Sequence, residues 1–401
     1  PVHALGMARS EVAMMVRVGR VLSPSTMHKA MVPYCKNLNL NLAATPQETM
    51  SAQAQSIVDS SEAKPLERTH NSIIIEFLIQ NEPTFRRLAA TRKKGWNDTR
   101  GDDYFARQRR VADGAKDKEA LRFFHMMKEI GDEIQGRTRC LSQPSNCEGD
   151  MNILDICMAP GGYTASALKH NPGASAFGIS LPLEQGGHKV LLPRSNSTML
   201  FLDVTMLAKE CGVETIPLTH PDRTSFRDER PFWGQTFQLI FCDGQVLRTH
   251  KRPEYREGHE ARRLTISQLI LALQRIRPGG TIIMLLHNIE AWNSLEILHC
   301  FSGFSSVQVF KPVKKHAMRS SFYLVASGVQ PHSDAAKLAV KEWKQTWWDA
   351  TFGGENGTGC RSSTVNEDHI RLVLDQFGSK FVELARPIWE TQENALISWK
   401  P

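Results

Sequence analysis

Asn152-Ile-Leu-Asp-Ile-Cys-Met-Ala-Pro-Gly-Gly-Tyr-Thr-Ala-Ser-Ala-Leu168 contains an apolar run through Asp155, a Pro-Gly-Gly turn at 160–162 and a helix start of small residues. The run has the length of a buried strand, so the stretch predicts strand, turn and helix in immediate succession. Glycines at 161 and 162 admit backbone angles closed to other residues and leave no side chain between the turn and a ligand. The open N–H groups of the following helix start can hold carboxylate or other electron-rich atoms. A nucleoside-type cofactor at a sheet edge is the reading; a glycine needed only for turning is the plainer alternative.

Downstream of Met151, short apolar runs alternate with helical stretches, the signature of an α/β fold with helices on both faces of the sheet. Strands are expected at 153–158, 176–180, 199–202, 239–242, 281–286, 306–310 and 322–326. The chain divides into a poorly structured or targeting-like extension and linker at 1–70, a helical region at 71–135, the sheet domain at 136–328 and a helical extension at 329–401. In the second region apolar residues recur at helical spacing from Asn71 to Arg92, and a second helical segment runs from about Asp103 to Gln135. The tryptophans of Lys341-Glu-Trp-Lys-Gln-Thr-Trp-Trp348 read as core packing before base stacking.

A chain of 401 residues, 41% hydrophobic and 23% charged, is long enough to bury a sizeable core. No apolar run approaches the roughly 20 residues that cross a bilayer, so no membrane span is expected. The eight cysteines form no CxxC pair, which predicts neither a metal site nor a disulfide framework and fits a reducing intracellular compartment, cytoplasm or nucleus. The first 46 residues carry five Arg and Lys against Glu11, a composition that also admits a mitochondrial transit segment. Net charge of +7 leans toward a polyanionic partner. The sequence sets no oligomeric state.

Leu154-Asp-Ile-Cys-Met-Ala-Pro-Gly-Gly-Tyr-Thr164 resembles the S-adenosyl-L-methionine-binding motif of the FtsJ-like methyltransferases, the ribosomal-RNA and mRNA-cap 2'-O-methyltransferases. The resemblance runs from about residue 120 to 328. It implies a Rossmann-like seven-stranded sheet with an antiparallel final strand, S-adenosyl-L-methionine as cofactor and RNA as partner. By the same likeness Asp155, Cys157, Ala159, Pro160, Gly161, Gly162, Tyr163 and Thr164 line the cofactor, with Ser180 at the second strand's end. Asp203, beside Val204, would accept from the adenine amino group; a helix N-cap is its alternative role. No acid follows Ser180 before Glu184 to meet the ribose hydroxyls.

The family's chemistry rests on a Lys-Asp-Lys-Glu tetrad that steers and partly deprotonates the ribose hydroxyl. Here Lys128 and Asp243 match its first two members, and Asp243 would face both methyl group and hydroxyl. At the third, the fifth strand offers Leu285, or His287 or Asn288 if the strand runs longer; at the fourth stands Ser321. His287 as a base near neutral pH, or Lys311 or Lys314 reaching in from the loop before the last strand, could substitute. Basic residues from Arg248 to Arg263 and from Lys311 to Arg319 flank the same sheet edge, an expected path for a phosphate backbone. The competing readings are a catalytically weakened module that binds RNA or a partner, and a methyltransferase for a small molecule or protein.

Overall fold

The computed structural model describes residues 70–96, 117–142, 150–193, 197–360 and 366–398. The targeting-like segment, most of the linker, Arg100 and the stretch from Asp103 to Lys116 lie outside them. All seven expected strands form: β1 (Asn152–Ile156), β2 (Ser175–Ser180), β3 (Ser197–Phe201), β4 (Phe237–Cys242), β5 (Ile276–His287), β6 (Ser306–Phe310) and β7 (Ser321–Val329). They make one sheet in the order β3-β2-β1-β4-β5-β7-β6. Strands β3 through β5 pair in parallel, and β7 runs antiparallel between β5 and β6, as expected. The chain leaves β1 toward β2 and β3 and returns to place β4 on the other flank. Strand order reverses between β1 and β4, which opens a ligand crevice beyond their carboxyl ends.

The strands read as near-continuous apolar runs because both faces are covered. Alternate residues split between two cores: Ile153, Leu239, Phe241 and Ile283 face one, while Leu154, Ile240, Ile282 and Met284 face the other. On the first face lie α3 (Asp117–Thr138) and α4 (Gly162–His170); Met127, Ile130 and Ile134 of α3 fill its core. On the second lie α5 (Glu254–Arg275), α6 (Trp292–Ser302) and α7 (Asp334–Phe352), with Trp292, Trp343 and Trp347 almost wholly buried. The 341–348 tryptophan cluster is thus mainly core, and Trp348 alone of its three stands exposed.

The apolar spacing from Asn71 to Arg92 makes two helices, α1 (His70–Asn81) and α2 (Pro83–Trp96). Pro83 cannot donate within a continuing helix, so the chain stops at Asn81 and restarts with proline in its first turn. Glu82 accepts the Thr84 N–H at 3.0 Å and caps the restart. Both helices pack against α8 (Glu367–Ser398), whose Trp389 lies tilted against Phe85 with ring centroids 5.1 Å apart. Among the described residues no helix is long and apolar enough to cross a membrane.

Candidate active site at the sheet switch point

The Pro-Gly-Gly turn lies at the carboxyl end of β1. Gly161 holds φ at +100°, a conformation open to glycine at no steric cost, and its carbonyl receives the Ala165 N–H at 3.0 Å. Gly162 is glycine for a different reason from the one the sequence suggests. A Cβ there would lie 2.3 Å from the Phe124 carbonyl oxygen and 2.8 Å from the Lys128 nitrogen, so its bare face admits α3 rather than a ligand. Asp132 fastens the same contact by accepting from Ser166 at 2.6 Å and Lys169 at 2.9 Å. Lys128 is thereby seated over the turn, half-buried. The Ala159–Pro160 peptide is cis, and Pro160 accepts the Leu191 N–H at 2.9 Å.

Two carboxyls meet under the turn. Asp155 is wholly buried and one of its oxygens accepts from Thr164 of α4; its Oδ1 has no partner. Asp243, on the residue after β4, likewise has a buried Oδ1 with no partner. Burial lifts the Asp155 carboxyl to about 7. Burial, and then the neighbouring Asp155 charge, push Asp243 well above the usual carboxyl range. Such a pair suits a cation placed against it, because a positive charge would compensate both. Cys157 lies close by with φ +75°, and burial, then Asp243, drive its thiol up, so it remains a neutral thiol.

Beside Asp243 sits a tyrosine pair, of which only Tyr163 was among the expected site residues. Tyr163 and Tyr323 share a hydroxyl–hydroxyl hydrogen bond, and Tyr163 stacks on Phe241 with centroids 5.9 Å apart. Tyr323 pairs across the sheet with Leu285, so a hydroxyl pair and an apolar side chain occupy the region where the resemblance expects a lysine. The signal for Tyr323 was its place in strand register, visible only after β5 and β7 are paired.

The proposed substitutes for that lysine are otherwise engaged. His287 ends β5 opposite Ser321 and its Nε2 lies 3.1 Å from Gln245 Oε1. Burial, with Arg319 and Lys311 nearby, lowers it to about 4, so it is a neutral hydrogen-bonding group and a weaker base than its free pKa suggests. Asn288 takes φ +49° and donates its N–H to the Ser320 carbonyl at 3.1 Å. Lys311 is buried and donates to the carbonyls of His316 at 3.1 Å, Arg319 at 2.5 Å and Ser321 at 2.8 Å. It clamps its own loop and does not reach into the crevice. Lys128 and Asp243 share no hydrogen bond or ion pair, though their elements meet at the turn. Lys314 is exposed, on the rim of a pocket completed by Lys315, Glu129, Asp132 and Glu133.

At the β3 end the cap alternative for Asp203 is realised. Its carboxylate accepts from the Thr205 N–H at 2.9 Å and hydroxyl at 2.8 Å, at the start of the turn containing Val204. Arg256 also donates to it at 3.1 Å and to Glu260 at 2.8 Å. The Arg256 guanidinium lies among Asp203, Glu260 and Asp222; burial opposes its charge, but the charges and hydrogen bonds of Glu260 and Asp203 outweigh that and raise its pKa. Asp203, His250 and Glu260 have the spacing of a cation site, but Arg256 already supplies the positive charge there. Ser180 is buried, and Glu184 is exposed on the following turn. The donor set therefore fits S-adenosyl-L-methionine at its charged methionine end, through the orphaned oxygens of Asp155 and Asp243, and less well at its adenosine end.

The basic path is reduced. Arg256, Arg262 and Arg263 are buried at 7%, 4% and 2% exposure, so three of the five arginines in 248–263 face the interior of α5 packing rather than solvent. Lys314 and Arg319 remain exposed on the loop before β7, with Lys315 half-exposed against Glu129.

Residues 133–329 match the FtsJ-like methyltransferase family. No curated protein matches the chain in sequence. Among solved structures it resembles a putative ribosomal RNA methyltransferase from Plasmodium falciparum at 18% identity, covering 50% of this chain and 96% of that one, with a TM-score of 0.33. An rRNA methylase from Streptococcus thermophilus aligns at 10% identity over 51% and 96%, TM-score 0.27. An O-methyltransferase family protein from Burkholderia thailandensis aligns at 12% over 80% and 98%, TM-score 0.29.

Proposed function

Because residues 133–329 form an FtsJ-like methyltransferase domain, we propose that the chain methylates RNA at ribose 2'-hydroxyls with S-adenosyl-L-methionine as donor. The observation that carries this reading is the pair of orphaned, buried carboxylate oxygens of Asp155 and Asp243 at the switch point, beside the Gly161–Gly162 turn. When bound, the cofactor supplies an electrophilic methyl on a positively charged sulfonium. Asp155, fixed by Thr164, and the N–H groups opening α4 hold its methionine end. Asp243 accepts the hydrogen bond of the substrate hydroxyl and orients its oxygen; a nearby cation draws its carboxyl toward the ionised form. The Tyr163–Tyr323 hydroxyls stay protonated, since burial raises both, and act as fixed dipoles next to Asp243. Exposed Lys314 and Arg319 favour a phosphate backbone at the rim.

A second reading has its own observation. Leu285 and Ser321 replace two tetrad members and Lys311 is consumed by three carbonyls, which favours a weakened module that binds RNA without fast transfer. Labelled methyl transfer to total RNA, followed by alkaline hydrolysis, separates the two. Label in alkali-resistant dinucleotides supports ribose methylation, because a methylated 2'-oxygen cannot cleave the chain. Label in mononucleotides overturns the ribose assignment, and no label favours the binding module.

A further inference from the structure

The β5 exit at 287–290 and the loop at 311–321 border the positions where the resemblance places the third tetrad member, Leu285 or else His287 or Asn288, and the fourth, Ser321, and both are held by helices outside the 133–329 match. Arg92 of α2 donates to Glu290 at 2.5 Å, three residues past the end of β5. Its other terminal nitrogen donates to Gln392 Oε1 of α8 at 2.7 Å. Gln392 Nε2 then donates to the Met318 carbonyl at 2.9 Å, in the loop before β7. The guanidinium has only donors and the carbonyl only accepts, so the network fixes which way the amide points. Trp389, one turn earlier on α8, directs its indole N–H at the second oxygen of Glu290, at 3.5 Å. Arg92 and Glu290 are largely buried as a pair and Gln392 is 5% exposed.

The same loop is anchored on its other sides. Lys311 gathers its carbonyls from within, Asn288 N–H reaches Ser320 O, and Glu133 of α3 accepts the Val313 N–H at 2.9 Å. Lys315 pairs with Glu129, one residue from Lys128, at 3.3 Å. The loop is therefore the meeting point of α3, the β5 exit and the α2–α8 pair.

We infer that α2 and α8 form a clasp, built on Arg92, Glu290 and Gln392, that positions the 311–321 loop and the β5 exit at the substrate side of the site. The inference rests on the proposed methyltransferase reading for its catalytic consequence, and on geometry alone for the tether. Arg92, Glu290 and Gln392 are positioning residues: they act through the loop that carries Lys314 and Arg319. A displacement of this loop alters where an RNA strand would lie against Asp243, while leaving the turn at Gly161 untouched.

Gln392→Glu tests this in the full chain. It preserves shape and the acceptor for Arg92 but removes the donor to Met318 O. Amide exchange over 314–320 is expected to quicken roughly tenfold, the scale of one lost buried hydrogen bond. Exchange in β1 and α4 and affinity for S-adenosyl-L-methionine should stay unchanged, and kcat for RNA should fall with the cofactor KM unaltered. Gln392→Met, which removes both links, should give the same pattern, and Glu390→Gln on the exposed face of α8 should give none. Unchanged exchange over 314–320 overturns the clasp, and faster exchange with undiminished kcat overturns its positioning role. If the unmodified protein neither binds cofactor nor transfers methyl, the proposed function fails while the exchange result still decides the tether.

Discussion

Asp155 and Asp243 stand at the carboxyl ends of adjacent parallel strands, each with a buried carboxylate oxygen that meets no donor. Unfolded, both would ionise near pH 4. Folded, Asp155 holds its proton up to about 7, because burial disfavours the charge more than Thr164 relieves it. The folded state thus binds more protons than the unfolded chain between those values, and stability falls as pH climbs from about 4 through 7. Asp155→Asn should melt higher than the unmodified protein at pH 8 and match it at pH 4. Equal melting temperatures at pH 8 would remove the buried-charge account.

Gly162→Ala should unseat α3. Its Cβ would meet the Phe124 carbonyl and the Lys128 nitrogen, neither of which can move without the helix. A loss of about 1–3 kcal/mol is expected by chemical denaturation, the usual cost of overpacking. Cofactor affinity measured on the folded fraction should change less than stability does. The opposite order would return Gly162 to the role of ligand contact.

Arg256 holds together Asp203, Glu260 and Asp222 in a largely buried cluster. Arg256→Ala leaves their charges uncompensated and should cost roughly 3–5 kcal/mol in urea unfolding. Asp203→Asn, in contrast, keeps an acceptor for Thr205 and should cost far less. A small loss for Arg256→Ala would show that the cluster is better hydrated than its burial implies.

Much of this was legible in the chain. Parallel strands covered on both faces are continuous apolar runs, so all seven appeared in the sequence, with ends displaced by a few residues. Boundaries failed where backbone geometry decides them: Cys157 leaves the strand at φ +75°, and Pro83 splits one apolar spacing into two helices. Asp243 could be read because it ends an apolar run, and Asp155 because it interrupts one inside the stretch that carries the resemblance. What could not be read is pairing between distant positions. The capture of Asp203 by Arg256 spans 53 residues and that of Gln392 by Arg92 spans 300, and neither leaves a local pattern. Charge counting misjudged the 248–263 arginines for the same reason, since a helix that buries its basic face reads identically to one that displays it.

Lys311→Met should loosen the loop before β7 without emptying the crevice. The substitution keeps the aliphatic stem but strips donors from three carbonyls, a loss on the order of 1–3 kcal/mol at this buried site. Proteolysis or amide exchange across 316–321 would register it. Unaltered protection there would mean that the ammonium is not what holds the loop.

The most direct measurement is calorimetric titration with S-adenosyl-L-methionine and with its demethylated product between pH 6 and 8. A cation set against Asp155 and Asp243 must displace protons, so the sulfonium form should bind more tightly as pH rises, with proton release seen as heat that depends on the buffer. The product, lacking the sulfonium charge, should show a flatter profile, and Asp243→Asn should narrow the difference between the two profiles, leaving the part that Asp155 contributes. Failure of either compound to bind, in protein whose fold is intact, would contradict the account.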